Sequence, residues 1–163
     1  MPAIVQLALI GIIGYLWGSI PAGYWIGKLI RGKDFDIRAY GSHKIGMTNV
    51  LRTLGRGPAL FVLVFDLSKG FGPTLIATLV PVFYGTGWAY GWGPTVAGLA
   101  ALIGHIYPIF IGFKGGRGVL TGAGALLVIS PLTFLISLIV LAVTILTSRY
   151  VSCLLYTSDA ADE

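Results

Sequence analysis

The chain has 163 residues, of which 56% are hydrophobic and only 10% are charged, and its mean hydropathy is +0.88. Soluble globular domains carry about 25% charged residues, so this composition excludes that class and indicates an integral membrane protein. The formal net charge of +5 would suit a nucleic-acid-binding protein, but seven of the eleven Lys and Arg residues lie between Lys28 and Arg56, beside an apolar stretch. That clustering is typical of a cytoplasmic loop of a membrane protein, so we expect no nucleic-acid partner.

The first predicted element is a membrane-spanning helix over residues 4–26, which carry no charged side chain. At about 1.5 Å per residue this helix covers the roughly 30 Å hydrocarbon core. Residues 28–57 bring seven cations against two carboxylates, so we expect them to form a cytoplasmic loop. The second predicted span covers residues 58–84 and should bend near Pro73.

The loop over residues 85–94 contains Trp88, Tyr90 and Trp92 but neither Lys nor Arg. Aromatic rings with polar edges favour the headgroup layer, and the lack of cations marks the external face. A third span over residues 95–111 then returns the chain to the basic side.

Residues 118–148 also carry no charge, and they exceed the roughly 20 residues that one spanning helix needs. Ser130-Pro131 divides them, so either one kinked helix or a hairpin fits. We prefer the hairpin because it returns Arg149 to the basic side. The sequence therefore predicts an all-α integral membrane protein with about five transmembrane helices.

A glycine-rich loop interrupts this apolar chain at Gly112-Phe113-Lys114-Gly115-Gly116-Arg117-Gly118. Glycines let the backbone approach an anion closely, and Lys114 and Arg117 supply positive charge. Because the third span ends here, the loop should lie beside the first basic loop. We interpret it as a cradle for a phosphate group.

The first basic loop contains a second candidate cradle between Gly41 and Arg52. Ser42, Thr48 and Asn49 stand beside glycines, and Arg52 could grip a phosphate with two parallel hydrogen bonds. The alternative is a solvated loop whose cations face anionic lipids. We favour this alternative for the three cations that precede the cradle, Lys28, Arg31 and Lys33.

Three ionisable residues lie inside predicted spans. Asp66 and Lys69 are three residues apart on one helical face, where they can neutralise each other. A structural ion pair and a role in orienting the phosphate site both remain open for them. His105 lies at the inner end of the third span, where a hydrogen bond to another helix is favoured over a general base.

The sequence lacks a Cys/His cluster, a Ser-His-Asp arrangement and the spacing of a nucleotide P-loop. We therefore expect no metal, no cofactor and no covalent intermediate.

Four segments together resemble the bacterial acyl-phosphate:glycerol-3-phosphate acyltransferases. In that family the first loop typically reads GSGNIGATNVLR and the second GHxFPVFLxFKGGKGVAT, against residues 41–52 and 104–121 here. Residues 18–21 and 66–70 also match. The resemblance implies a seven-span inner-membrane enzyme with its active site facing the cytoplasm. It would transfer a fatty acyl group from acyl phosphate to the sn-1 hydroxyl of glycerol 3-phosphate and form lysophosphatidic acid.

By matching positions, the resemblance implies that Ser42 and Arg52 act in catalysis by binding and orienting the glycerol phosphate. The remaining residues that it implies in substrate binding are Thr48, Asn49, Lys69, His105, Lys114, Gly115, Gly116, Arg117, Gly118 and Ser152. The other partners are acyl phosphate and the lipid bilayer.

The resemblance ends near Ser152, where Arg149-Tyr150-Val151-Ser152 looks like the start of a third family motif. We therefore expect a membrane acyltransferase domain over residues 1–152, incomplete at its C-terminal end, and a disordered tail over residues 153–163. Two other classes remain as alternatives: a small membrane carrier for an organic phosphate, and a membrane scaffold that binds no ligand.

Overall fold

The computed structural model describes residues 2–148, with side chains as far as Thr144. The helices are α1 (Ala3–Gly18), α2 (Ala22–Arg31), α3 (Met47–Leu54), α4 (Arg56–Leu79), α5 (Pro81–Tyr84), α6 (Trp92–Ile106), α7 (Val119–Ile129) and α8 (Pro131–Ser148). Short 3₁₀ turns cover Ile37–Ala39, Gly87–Ala89 and Ile109–Ile111. No strand occurs in the described residues, so the predicted all-α fold is confirmed.

Three helical stretches are long and apolar enough to cross a membrane: Ala3–Arg31, Arg56–Leu79 and Trp92–Ile111. Two shorter apolar helices, Val119–Ile129 and Pro131–Thr144, follow them. The predicted division of the last apolar stretch at Ser130-Pro131 is therefore confirmed. The described part of α8 exposes large apolar side chains along its length, as a helix that faces lipid does.

The first predicted span is not one continuous helix. α1 ends at Gly18, and α2 begins at Ala22 after a break that contains Pro21. Proline has no N–H to donate and disfavours helical geometry in the residue before it, so the helix stops where hydropathy alone continued it. By contrast, α4 continues through Pro73 and ends at Leu79, five residues before the predicted boundary at residue 84.

Small residues bring the helices into close contact. At Gly18 of α1, an added Cβ would lie 2.1 Å from the main-chain oxygen of Ala101 on α6. At Gly70 of α4, it would lie 1.8 Å from the main-chain oxygen of Thr121 on α7. Glycine at these crossings lets backbones approach closely, as is typical of helix interfaces in membranes. The α4–α7 contact matters for the site because it places the beginning of α7.

Apolar residues also support the polar loop between α2 and α3. Ile37 and Ile45 from this loop are buried together with Val50 of α3, Ala22 of α2 and Val62 of α4. Burial of these side chains stabilises the loop against the helices. The segment that carries the first candidate cradle is thus part of the packed structure.

Candidate active site

A cavity of about 240 Å³ lies where α3 and α7 begin. Its walls come from both predicted cradles, together with one residue each from α4 and α6 and the first two residues of α7. The lining residues are Ser42, Lys44, Gly46, Met47, Thr48, Asn49, Asp66, His105, Arg117, Gly118, Val119 and Leu120. The two loops are therefore neighbours in space, as the order of the predicted spans required.

Both helices present their N-terminal ends to this cavity. Gly46 precedes α3, and Gly118 precedes α7 with a φ of 76°, a backbone conformation that glycine adopts readily. The first N–H groups of a helix lack intrahelical acceptors, and in the part of the chain described here neither helix start has a side-chain cap. Two helix dipoles therefore direct positive potential into one cavity, which favours an anion.

Cationic and apolar side chains complete the cavity. Lys44 and Arg117 line it and add positive charge, while Met47, Val119 and Leu120 supply apolar surface. A planar guanidinium matches the geometry of phosphate oxygens well. The cavity therefore suits a molecule that joins a phosphate group to an apolar portion.

Asn49 organises the first loop from inside. Its side chain is 1% exposed, and its Nδ2 lies 3.1 Å, 3.0 Å and 2.8 Å from the main-chain oxygens of Ile37, Tyr40 and Lys44. Its Oδ1 accepts a hydrogen bond of 3.1 Å from the main-chain N–H of Ser42. One buried amide thus fixes the loop that presents Ser42 and Lys44 to the cavity.

Main-chain hydrogen bonds hold the glycine-rich loop against the end of α6. The N–H of Gly115 donates to the oxygen of Ile106 over 3.1 Å, and the N–H of Gly116 donates to the oxygen of His105 over 3.1 Å. These two amides are therefore bonded within the protein. The amides that face the cavity from this side are those at the start of α7.

A second, larger cavity of about 980 Å³ adjoins the first and shares Lys44 with it. Lys114, Gly115 and Gly116 line this second cavity, together with Arg38. Its cations extend the positive surface outward from the smaller cavity.

Arg38 connects the two polar loops at their base. It bonds to Asp36 through both its Nε and its Nη2, and its Nη1 reaches the second loop. The hydrogen bond from Arg38 is the main factor that lowers the pKa of Asp36 below its ordinary value, against a smaller opposing effect of burial. The same bond raises the pKa of Arg38. Both the Asp36 carboxylate and the Arg38 guanidinium are therefore charged at neutral pH.

The intramembrane ionisable residues meet behind the smaller cavity. Lys69 Nζ donates to Asp66 Oδ1, so the ion pair predicted from their spacing is present. His105 Nδ1 lies 3.7 Å from Asp66 Oδ1 and 3.5 Å from Lys69 Nζ. This arrangement agrees with His105 bonding to another helix, although both His105 and Asp66 also line the cavity.

Comparison with known proteins decides the family. A family model described as glycerol-3-phosphate acyltransferase matches residues 8–158. The chain belongs to the glycerol-3-phosphate acyltransferase family. The resemblance drawn from the two loops is therefore confirmed.

Two curated glycerol-3-phosphate acyltransferases illustrate the relationship. The protein of Macrococcus caseolyticus is 42% identical over 148 residues, which cover 91% of this chain and 71% of the relative. The protein of Exiguobacterium sibiricum is 45% identical over 148 residues, covering 91% of this chain and 67% of the relative.

Two solved structures share the fold. Both are crystal structures of PlsY (YgiH), an integral membrane glycerol 3-phosphate acyltransferase. Its glycerol 3-phosphate form superposes with a TM-score of 0.76 at 40% identity, covering 90% of this chain and 69% of that one. Its lysophosphatidic acid form gives 0.70 at 39% identity, with coverage of 85% and 65%. These relatives are named as enzymes, so the comparisons favour an acyltransferase over a carrier or a scaffold.

Most of the site residues predicted from the family resemblance lie around the two cavities. Ser42, Thr48, Asn49, His105, Arg117 and Gly118 line the smaller cavity, and Lys114, Gly115 and Gly116 line the larger one. Arg52 is exposed and belongs to the lining of neither cavity. Lys69 is fully buried behind the smaller cavity, whose lining does not include it. Ser152 falls outside the described residues.

Lys44 and Arg38 were not among the predicted site residues, whereas for Asp66 a structural ion pair and a role in orienting the phosphate site had both been left open. Lys44 stands inside the first loop, where the family typically has a neutral residue, and it contributes to both cavities. Its position between Ser42 and Gly46 could have identified it. Arg38 lies before the loop motif, and nothing in its spacing indicates that it reaches the second loop.

Proposed function

We propose that this chain transfers a fatty acyl group from acyl phosphate to the sn-1 hydroxyl of glycerol 3-phosphate, producing lysophosphatidic acid and inorganic phosphate. The observation that carries the proposal is the cavity between the N-terminal ends of α3 and α7, with Arg117 and Lys44 in its lining. Both substrates are phosphorylated, and such a cavity stabilises phosphate. Membership of the acyltransferase family supplies the reaction class.

The chemistry requires little from the protein beyond alignment and electrostatics. The sn-1 oxygen attacks the acyl carbonyl carbon, an ester bond forms, and the bond between that carbon and the phosphate oxygen breaks. The leaving phosphate takes the electron pair, and one of its oxygens accepts the hydroxyl proton. Acyl phosphate is already activated, so positioning of the two substrates and stabilisation of developing negative charge provide the rate enhancement.

The residues fit complementary roles in this scheme. Arg117 and the amides at the start of α7 hold a phosphate, while Ser42 and Thr48 position the glycerol portion from the opposite wall. Thr48 and Arg52 are four residues apart on α3 and therefore share a helical face. Arg52 is thus placed one turn from the cavity, from where its long side chain binds the phosphate of glycerol 3-phosphate.

We propose that the enzyme resides in the bacterial inner membrane and that both cavities face the cytoplasm. The basic residues between α2 and α4 and those in the glycine-rich loop support this orientation, because cytoplasmic loops are enriched in Lys and Arg. Acyl phosphate and glycerol 3-phosphate are then supplied from inside the cell.

A donor comparison tests the proposal. The purified chain in lipid nanodiscs is given glycerol 3-phosphate with palmitoyl phosphate, palmitoyl coenzyme A or palmitoyl acyl carrier protein. We expect lysophosphatidic acid only with palmitoyl phosphate, with one inorganic phosphate released per product molecule. Transfer from the thioesters alone, or no transfer from any donor, would overturn the proposal.

Substitutions connect the activity to the cavity. Ser42→Ala and Arg117→Ala should each lower kcat/KM by about 100-fold, the scale expected when one group that stabilises the transition state is removed. Ser137→Ala and Arg31→Ala are matched controls, because both residues are exposed and lie outside both cavities. If the test and control variants were equally active, the reaction would not take place in this cavity.

A further inference from the structure

The buried cluster of Asp66, Lys69 and His105 is the feature that the proposed reaction leaves unused. These residues are only 2%, 0% and 3% exposed, and they lie in helices that otherwise consist almost entirely of uncharged residues. Burying charged groups away from water is costly even when they are paired. The cluster contacts the wall of the smaller cavity at two points.

The first contact is with the glycine-rich loop. The main-chain oxygen of His105 accepts the N–H of Gly116, and the backbone of Gly116 passes directly over the imidazole. A Cβ added to Gly116 would lie 2.3 Å from His105 Nε2, and the next two nearest atoms also belong to that ring. The histidine therefore sets how closely this loop approaches α6.

The second contact is with α7. Thr121 Oγ1 donates to the main-chain oxygen of Asp66 over 3.1 Å, and both groups are buried. The close approach at Gly70 brings α7 within reach of this bond. Between the two contact points lie residues 117–120, and all four line the cavity.

We propose that Asp66, Lys69 and His105 form a positioning element that fixes both ends of the cavity wall over residues 117–120. Asp66 and Lys69 orient the imidazole from one side, and the imidazole supports Gly116 on the other. The inference rests on the proposed function for the reaction that the wall serves. The three residues act through Arg117 and the first amides of α7, and we assign them no contact with substrate.

A double-mutant cycle between Gly116 and His105 tests the contact. Gly116→Ala should lower kcat by about 100-fold, because small misplacements of a binding wall cost this much. Combining it with His105→Ala removes the obstructing ring, so the double variant should be no less active than the single His105→Ala variant. Gly57→Ala is the control, since a Cβ there meets no atom within 4 Å. Losses that multiply in the double variant, or a fully active Gly116→Ala, would refute the contact.

Hydrogen exchange provides a measurement that does not depend on activity. The double substitution Asp66→Asn with Lys69→Met removes both buried charges together and so leaves no uncompensated carboxylate, and we expect amides over residues 116–121 to exchange roughly tenfold faster than in the unmodified chain. Exchange in the external loop over residues 85–91 and the thermal unfolding temperature should not change. Uniformly faster exchange or a large fall in thermal stability would assign the cluster a purely structural role.

The two proposals can fail separately. If amide exchange accelerates only over residues 116–121 but no transfer from acyl phosphate occurs, the positioning element is supported and the proposed reaction is refuted. If the reaction occurs but exchange over residues 116–121 is unaffected, the positioning element falls.

Discussion

Arg38 Nη1 donates a hydrogen bond of 3.0 Å to the main-chain oxygen of Ile111, which joins the loop before α3 to the loop before α7. The same guanidinium bonds Asp36 and lies 4.9 Å from the centre of the Tyr24 ring on α2. One side chain therefore contacts its own loop and two other segments, α2 and the turn at Ile111. Each cavity is lined by residues from both loops, so this bond joins the two segments that form their walls.

Removing this connection should impair the enzyme. We expect Arg38→Ala to lower kcat/KM for acyl transfer by about tenfold, and Arg38→Lys to lose nearly as much, since an ammonium cannot reproduce the bidentate bonds to Asp36. Steady-state kinetics in nanodiscs measure the effect. Arg31→Ala removes an exposed cation of the same region and should leave the rate unchanged. Full activity of Arg38→Ala would show that the loops hold their positions without it.

The Asp36–Arg38 pair predicts a specific pH dependence. Arg38 lowers the pKa of Asp36 below 3.8, so the charged pair contributes its full stabilisation of the fold above that pH. This stabilisation is lost only as the pH falls through the lower pKa that Asp36 has in the folded chain. The difference in unfolding temperature between the unmodified chain and Asp36→Asn should therefore be constant from about pH 8 to pH 5 and shrink below about pH 4. Thermal unfolding in detergent at each pH measures it. A difference that vanishes near pH 6 would contradict the assignment.

Asn49 should matter more for stability than a typical polar residue. Asn49→Ala removes the donor for three main-chain oxygens and the acceptor for one N–H, so we expect a loss of at least about 2 kcal/mol in the free energy of unfolding. Titration with a denaturing detergent measures that loss. Thr53→Ala removes one local hydrogen bond to the oxygen of Asn49 and should cost less than half as much. Comparable losses in the two variants would argue against the central position of Asn49.

Thr74 offers a stabilising substitution. Its hydroxyl is fully buried on α4 and, within the described residues, has no hydrogen-bond partner. Thr74→Val replaces it by an apolar group of the same shape and should raise the unfolding temperature by about 2–4 °C, equivalent to roughly 1 kcal/mol. Thr121→Val is the matched opposite, because the Thr121 hydroxyl does donate a bond, and that variant should be less stable. A lower unfolding temperature for Thr74→Val would reveal a partner for this hydroxyl.

The proposed orientation can be tested with single cysteines. In a Cys153→Ser background, Lys114→Cys should react with a membrane-impermeant maleimide only from the cytoplasmic side. Trp88→Cys should react only from outside, since Trp88 is 74% exposed at the other end of α6. The Cys153→Ser chain alone should not react. Labelling of both positions from one side would overturn the topology.

The elements that sequence patterns predicted well are those governed by local chemistry. Apolar length indicated the membrane helices, Pro131 marked the start of α8, and the spacing of Asp66 and Lys69 indicated an ion pair on one face. The first span is present over Ala3–Arg31, but its prediction as one uninterrupted helix was wrong, because mean hydropathy does not register the loss of a backbone donor at Pro21. Local patterns thus gave the elements but not every boundary.

The details of the site depended on contacts between distant segments, which no local pattern reports. The role of Asn49 follows from three carbonyls that meet at one point only after the loop folds. Lys69, implied in substrate binding by the family resemblance, is buried behind the cavity because α6 and α7 pack against α4. The spacing of Arg38 likewise gave no sign that it would bond to Ile111, 73 residues away.

The hydrogen bonds of Gly115 and Gly116 affect the thermodynamics of ligand capture. A glycine-rich segment that stayed mobile until a phosphate arrived would lose conformational entropy upon binding, and affinity would fall accordingly. Here folding itself orders the segment, since both amides already bond to the end of α6. The enzyme therefore meets its substrates in a preorganised state, and their binding free energy remains for alignment of the reacting groups.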